Sequence, residues 1–164
     1  MSLLLPDLYY QNVSAIDLES LAASGVRNLL MDLDNTLLPR DGNGISHEVE
    51  EWIAGLGASG FAACLVSNNW HAHVQGIADA IGLPIVAKAL KPFPHAFRSG
   101  LGVLHATPAD TAVIGDQIFT DVLGGNLLGA TTVLVQPLSA SDLPHTLLLR
   151  RVERRVLAGR EPLA

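Results

Sequence analysis

The chain has 164 residues, of which 49% are hydrophobic and 16% charged, and its formal net charge is −6. This length suits one globular domain with its own core, and the composition argues against disorder. An acidic chain lacks the basic footprint of a nucleic-acid-binding protein, so we expect no nucleic acid as a partner. The first residues resemble neither a secretory leader nor a membrane span, so we expect a cytoplasmic protein, with its oligomeric state left open.

Strands and helices are predicted to alternate along the chain. An entry helix over IDLESLAASG precedes the first strand, and Ser46 is the predicted N-cap of the helix that follows that strand. Parallel strands joined by helices form a sheet covered on both faces, so the predicted fold is a three-layer, doubly wound α/β domain. Apolar runs predict five strands, at residues 26–32, 61–67, 84–87, 111–115 and 131–135.

Polar side chains follow three of these strands, at the point where each strand ends. The carboxyl ends of parallel strands meet at one edge of the sheet, where helix N-termini favour a bound anion, and phosphate is the commonest such anion. The sequence therefore predicts a phosphate site. Its residues are Asp32, Asp34 and Thr36 after the first strand, Ser67, Asn68 and Asn69 after the second, and Asp116 and Asp121 after the fourth.

Three of these residues, Asp32, Asp34 and Asp116, would repel one another without a cation, and hard oxygen ligands favour Mg²⁺. A carboxylate at such a site can attack phosphorus and form an aspartyl-phosphate. Asp32, at the strand end, is the candidate nucleophile. Asp34 is the candidate acid and base, which protonates the leaving oxygen and then takes a proton from water.

A cation near the transferring phosphoryl group is the remaining requirement. Lys88 and Lys91 are the only lysines in the chain. Lys91 is the better candidate because Pro92 follows it and restrains its backbone to an extended form. Lys88 remains the alternative.

The segments DLDNT, VSN, LKP and GDQIFTD follow one another in the order of the four motifs of the haloacid dehalogenase (HAD) superfamily of phosphatases. The resemblance spans nearly the whole chain. Together with LPDLYY, KPFPHAFR and RVERRVL, these motifs resemble the capless subfamily IIIA, in the YqeG-like group that includes phosphatidylglycerophosphate phosphatases. The gaps between the motifs are too short for a cap domain, and an uncapped site implies a large substrate, such as a protein, a nucleic-acid end or a lipid head group.

The resemblance also implies a role for each matching residue. Mg²⁺ would be the cofactor, held by Asp32, Asp116 and the main-chain carbonyl of Asp34. The phosphate would be bound by Ser67, by the backbone N–H of Asn68 and by Lys91. Asp121 and Thr36 would contact these metal- and phosphate-binding residues without binding the metal or the phosphate directly.

The C-terminal segment predicts a basic amphipathic helix at about residues 141–158. Its apolar positions are Leu148, Val152 and Val156. One interpretation is a helix packed on the domain. The other is a peripheral contact with an anionic membrane through Arg150, Arg151, Arg154 and Arg155.

We therefore expect a Mg²⁺-dependent phosphomonoesterase that acts through an aspartyl-phosphate, with phosphatidylglycerophosphate as the leading substrate. A soluble phosphomonoester, a nucleotide or a phosphoprotein is the alternative substrate. A second alternative is a non-enzymatic signalling domain whose aspartate only accepts phosphate, as in response-regulator receivers.

Overall fold

A six-stranded parallel sheet forms the centre of the fold. The structure, a computed structural model, describes residues 2–42, 44–140 and 144–164, and only the backbone of residues 144–148. The strands lie in the order β1-β6-β5-β2-β3-β4, and each neighbouring pair is parallel. They comprise β1 (Leu8–Tyr10), β2 (Asn28–Met31), β3 (Ala62–Val66), β4 (Ile85–Val86), β5 (Thr111–Gly115) and β6 (Thr131–Val135).

Helices connect the strands, and two of them begin at capping residues. The side chain of Asp17 accepts a hydrogen bond from the backbone N–H of Ser20, and Ser46 accepts one from Val49 in the same way. These bonds satisfy N–H groups that have no partner inside a helix. The helices are α1 (Leu18–Ala23), α2 (His47–Leu56), α3 (His73–Ala80), α4 (Pro94–Leu104), α5 (Leu123–Leu128) and α6 (Pro144–Val156), with a π-helical turn at Ile118–Val122 before α5.

The sheet has a buried hydrophobic cluster on each face. In β2, Leu29 and Met31 face the cluster formed with α1, α2 and α3, whereas Leu30 faces the cluster formed with α4. Successive side chains of a strand point to opposite faces, so a strand that is apolar at every position is buried on both. The predicted three-layer, doubly wound α/β fold is confirmed.

The sequence analysis predicts five strands, and the structure has a sixth, β1, that was not predicted. Residues Leu8–Tyr10 form β1 at the edge of the sheet, with Leu8 paired to Val133 of β6. Asp7 holds this edge in place, because its carboxylate accepts a hydrogen bond of 2.8 Å from the backbone N–H of Thr132. A strand of three residues is too short to show the alternation of apolar and polar residues by which strands are recognised in a sequence. These residues form a strand because they pair with β6.

The side of the C-terminal helix that faces the domain matches the predicted one only at Val156. Val152 is 41% exposed, and the side chain of Leu148 lies outside the described residues, as do residues 141–143 of the predicted range. Glu153 is buried instead, while Val156 and Leu157 pack against the hydrophobic cluster around Ile118. A buried acidic residue cannot be recognised from apolar spacing. Of the helices described, none is long and apolar enough to cross a membrane.

Candidate active site

The carboxyl ends of three neighbouring strands bring the predicted polar residues together. In the sheet, β2 lies between β5 and β3. Asp32, Asp116 and Ser67 follow β2, β5 and β3, and all three side chains are buried. The predicted edge of the sheet therefore carries a compact polar site.

Lys91 lies between two carboxylates of this site. Its Nζ atom donates to Oδ1 of Asp32 at 2.6 Å and to Oδ1 of Asp121 at 2.7 Å, and all three side chains are buried. Burial by itself would lower the pKa of Lys91, but the charges of Asp121 and Asp32 raise it above its ordinary value. Lys88 is exposed and lies 5.3 Å from the centre of the Trp70 ring, so of the two lysines the structure brings Lys91 into the site.

Asn68 fixes the backbone of Lys91. Its Oδ1 atom accepts a hydrogen bond of 2.7 Å from the backbone N–H of Lys91, and its Nδ2 atom donates to the carbonyl of Lys91 at 3.2 Å. Because both backbone groups are held by one side chain, the position of the Lys91 backbone is set from the loop that follows β3. The structure thus gives Asn68 a positioning contact, in addition to the backbone role that the resemblance implies.

Asp34 is half-buried and faces the loop after β3. The Nδ2 atom of Asn69 lies 3.2 Å from each carboxylate oxygen of Asp34, and the hydroxyl of Ser67 lies 3.5 Å from one of them. Asn69 belongs to the polar turn that the sequence places at this edge, but the sequence does not show that its side chain reaches Asp34. The prediction therefore placed Asn69 at the site but missed its contact with Asp34.

Three carboxylates form an acidic cluster. One oxygen each of Asp32, Asp116 and Asp121 lies within 4.8 Å of the others, and Thr36 Oγ1 lies 3.1 Å from Asp32 and 3.4 Å from Asp116. Burial raises the pKa of Asp121 to about 6, although Lys91 opposes the rise. Burial, and after it the charge of Asp32, raises the pKa of Asp116 well above its usual range. A cluster of hard oxygen donors with excess negative charge fits Mg²⁺.

Helix α6 reaches this cluster through a partly buried ion pair. Arg150 donates to the main-chain carbonyl and to the carboxylate of Asp116. Glu153 accepts a hydrogen bond of 2.7 Å from the backbone N–H of Ile118 and another of 3.2 Å from Arg150. The membrane contact predicted for Arg150 is corrected here, because this side chain is turned inwards. The sequence placed it on a charged face from spacing alone.

Asn35 joins the loop after β2 to the loop after β6. It is fully buried and has a φ of 65°. Its side-chain oxygen accepts a hydrogen bond of 2.8 Å from the hydroxyl of Ser139, and its carbonyl accepts one of 2.9 Å from the backbone N–H of Leu138. Asparagine tolerates this left-handed conformation better than most residues, which is the only sequence signal for its role.

Comparisons with known proteins identify the family. The model of the HAD-hydrolase-like family matches residues 89–137. YqeG of Bacillus subtilis (strain 168), a probable phosphatase, is 38% identical over 155 residues, which cover 94% of this chain and 90% of that protein. The chloroplastic phosphatidylglycerophosphate phosphatase 1 of Chlamydomonas reinhardtii is 32% identical over 165 residues, which cover 93% of this chain and 60% of that protein.

Solved structures show the same fold at low sequence identity. The cobalt-bound deoxy-D-mannose-octulosonate 8-phosphate phosphatase of Haemophilus influenzae matches with a TM-score of 0.56 and 13% identity. The match covers 82% of this chain and 88% of that chain. It supports the fold alone.

The fold, the acidic cluster and these relatives define a phosphatase of the HAD type. Between Asp32 and Lys91 the described residues form only α2, β3, α3 and β4 as regular elements, so the site has no cap domain. The chain belongs to the YqeG-like phosphatases of the haloacid dehalogenase superfamily. This identification sets aside the alternative of a non-enzymatic phosphoacceptor domain.

Proposed function

We propose that the protein hydrolyses phosphomonoesters with Mg²⁺ as cofactor and that Asp32 is its nucleophile. The observation that carries the proposal is the position of Asp32, at the end of β2, where Lys91 and Thr36 hold its two carboxylate oxygens. A carboxylate held at both oxygens has a fixed orientation, which favours its attack on a phosphorus atom from one direction.

The first step transfers the phosphoryl group to the protein. An oxygen of Asp32 attacks phosphorus, the bond between phosphorus and the ester oxygen breaks, and Asp34 donates a proton to the leaving alcohol. Asn69 holds Asp34 by both carboxylate oxygens, which restricts the direction from which the proton is delivered.

The second step releases phosphate. Asp34, now ionised, takes a proton from a water molecule, and the resulting hydroxide attacks phosphorus and breaks its bond to Asp32. Ser67 and Asn68 contact the phosphate in both steps, and Lys91 stabilises its negative charge. Mg²⁺ held by Asp32, Asp116 and the main-chain carbonyl of Asp34 would supply further positive charge.

Phosphatidylglycerophosphate is the substrate that we propose. The name of the Chlamydomonas relative supports it. An uncapped site supports it too, because a lipid head group that remains part of a membrane needs open access. A soluble phosphomonoester, a nucleotide or a phosphoprotein is the alternative, with the same chemistry.

A phosphate-release screen tests this proposal. It compares lipid, nucleotide, sugar and peptide phosphates with Mg²⁺ and with EDTA. We expect release from phosphatidylglycerophosphate that EDTA abolishes and that Asp32→Asn lowers by more than about a thousandfold. Asp79→Asn, which alters an exposed carboxylate on α3, is the matched control and should keep full activity. Full activity of Asp32→Asn with an unchanged melting temperature would contradict the mechanism.

A further inference from the structure

A cleft of about 670 Å³ opens beside the acidic cluster, between the end of β6 and α6. Cavities of this size commonly hold small molecules. Asp116 lines the cleft and is also a member of the acidic cluster. Asp116 thus joins the cleft to the cluster that contains Asp32.

Both walls of the cleft are attached by hydrogen bonds to the loops that follow β2 and β5. Asn35 binds the loop at residues 136–140 through Leu138 and Ser139. Arg150 and Glu153 attach α6 to the segment that begins at Asp116. The contacts that shape the cleft are thus attached to the residues that would bind the phosphate, and a cleft formed in advance orders its ligand at a lower entropic cost.

The two walls differ in chemistry. The wall from β1, β6 and the following loop is largely apolar and includes Tyr9, Leu134, Pro137 and Leu138. The wall from α6 presents Arg151 and Arg154, which are exposed. In the part of the chain that the structure describes, neither arginine has a hydrogen-bond or ion-pair partner.

We propose that this cleft binds a second phosphate group of the substrate, through Arg151 and Arg154, and the adjoining apolar part of a lipid. Guanidinium groups suit phosphate because they donate two parallel hydrogen bonds to it. Two exposed cations in a chain of net charge −6 make the cleft locally attractive to such an anion. The inference rests on the proposed function and narrows it to glycerophospholipids that carry both a monoester phosphate and a phosphodiester.

Three substrates in dispersed, vesicle-free form separate the contribution of the second phosphate from that of the apolar part of the lipid. They are short-chain phosphatidylglycerophosphate, short-chain phosphatidic acid, which has no second phosphate, and the deacylated form of the first. We expect the wild type to prefer the first substrate. The double variant Arg151→Gln/Arg154→Gln should reduce the preference for the first over the second by about tenfold to a hundredfold, mainly through a higher KM.

Arg155→Gln is the matched control, because it removes the same charge from an exposed position of α6 that does not line the cleft. Its preference should equal that of the wild type. An equal loss on the first two substrates in the double variant, or no loss on either, would overturn the second-phosphate site. Equal turnover of the lipid and its deacylated form would overturn the assignment of the apolar wall. Absence of phosphate release from all three substrates would instead count against the proposed function.

Discussion

At the scale of single residues, the electrostatics of the site depend most on Lys91. It is buried between Asp32 and Asp121, and its charge offsets part of the repulsion among three carboxylates. Removing one partner of a buried ion pair is costly because the other charge remains in a poorly solvated position. The same substitution therefore affects both stability and catalysis.

Lys91→Met should lower kcat/KM by more than about a hundredfold, since it removes the cation that we propose stabilises the transferring phosphoryl group. Without Mg²⁺, it should also lower the free energy of unfolding by about 3 kcal/mol. Steady-state kinetics and urea unfolding measure the two effects.

Lys88→Met is the control for this prediction. Lys88 is exposed and contacts the ring of Trp70, so its removal should change the free energy of unfolding by less than about 0.5 kcal/mol and leave kcat/KM close to that of the wild type. If the two variants lose activity to the same extent, Lys91 has no special role at the reacting phosphate.

At the scale of elements, α4 and α5 pack closely because of a glycine. A Cβ atom at Gly124 would lie 2.2 Å from Cε2 of Phe97, which is fully buried. A contact this short requires the aromatic ring or the helix to move. The glycine thus sets the distance between α5 and α4.

Gly124→Ala should lower the free energy of unfolding by about 1–3 kcal/mol, because it overpacks this interface. Gly102→Ala is the matched control, since Gly102 is an exposed glycine of α4 with no atom within 4 Å of its added Cβ. Alanine there should stabilise the protein by roughly 0.5–1 kcal/mol. Urea unfolding of both variants decides the matter, and a neutral Gly124→Ala would disprove the close contact.

A second element, α6, completes the acidic cluster from outside the motif loops. Arg150 binds the main-chain carbonyl and one carboxylate oxygen of Asp116, while the other oxygen lies near Thr36. Groups that hold a metal-binding carboxylate in place raise the affinity of the site for the ion. Arg150 is therefore a positioning residue for Asp116.

Arg150→Gln should weaken Mg²⁺ binding by about tenfold, as measured by calorimetry on the protein without substrate. Arg155→Gln alters an exposed arginine of the same helix and should bind Mg²⁺ as the wild type does. Tighter binding in Arg150→Gln would show the opposite role, with the guanidinium competing with the ion for Asp116.

At the scale of the whole molecule, the sequence predicts those site residues whose location depends only on their position at the end of a strand. Asp32, Ser67 and Asp116 directly follow apolar runs, and parallel strands bring such residues to one edge. It does not predict the contacts of Asn69, Asn35 and Arg150, which depend on the direction of a side chain or on the docking of a helix distant in sequence. The orientation of α6 was missed for the same reason, since a buried Glu153 has no hydrophobic signal.

The orientation of α6 also limits how the protein can meet a membrane. Arg150 is turned into the site, so Arg151, Arg154 and Arg155 are the exposed cations that remain beside the exposed Val152. Each can contribute at most about 1 kcal/mol near an anionic surface. Because the chain as a whole has a net charge of −6, the rest of the molecule opposes the approach.

We therefore expect weak pelleting with anionic vesicles at low salt, and none with zwitterionic vesicles or at high salt, where these charges are screened. Arg155→Gln should reduce the pelleting, whereas Arg98→Gln, an exposed arginine on α4, should not. An equal loss in both variants would mean that overall charge, and not α6, determines the contact. Failure of the wild type to pellet at low salt would count against a lipid substrate taken directly from a membrane. An uncapped site can act on a head group in a membrane only if the protein binds that membrane.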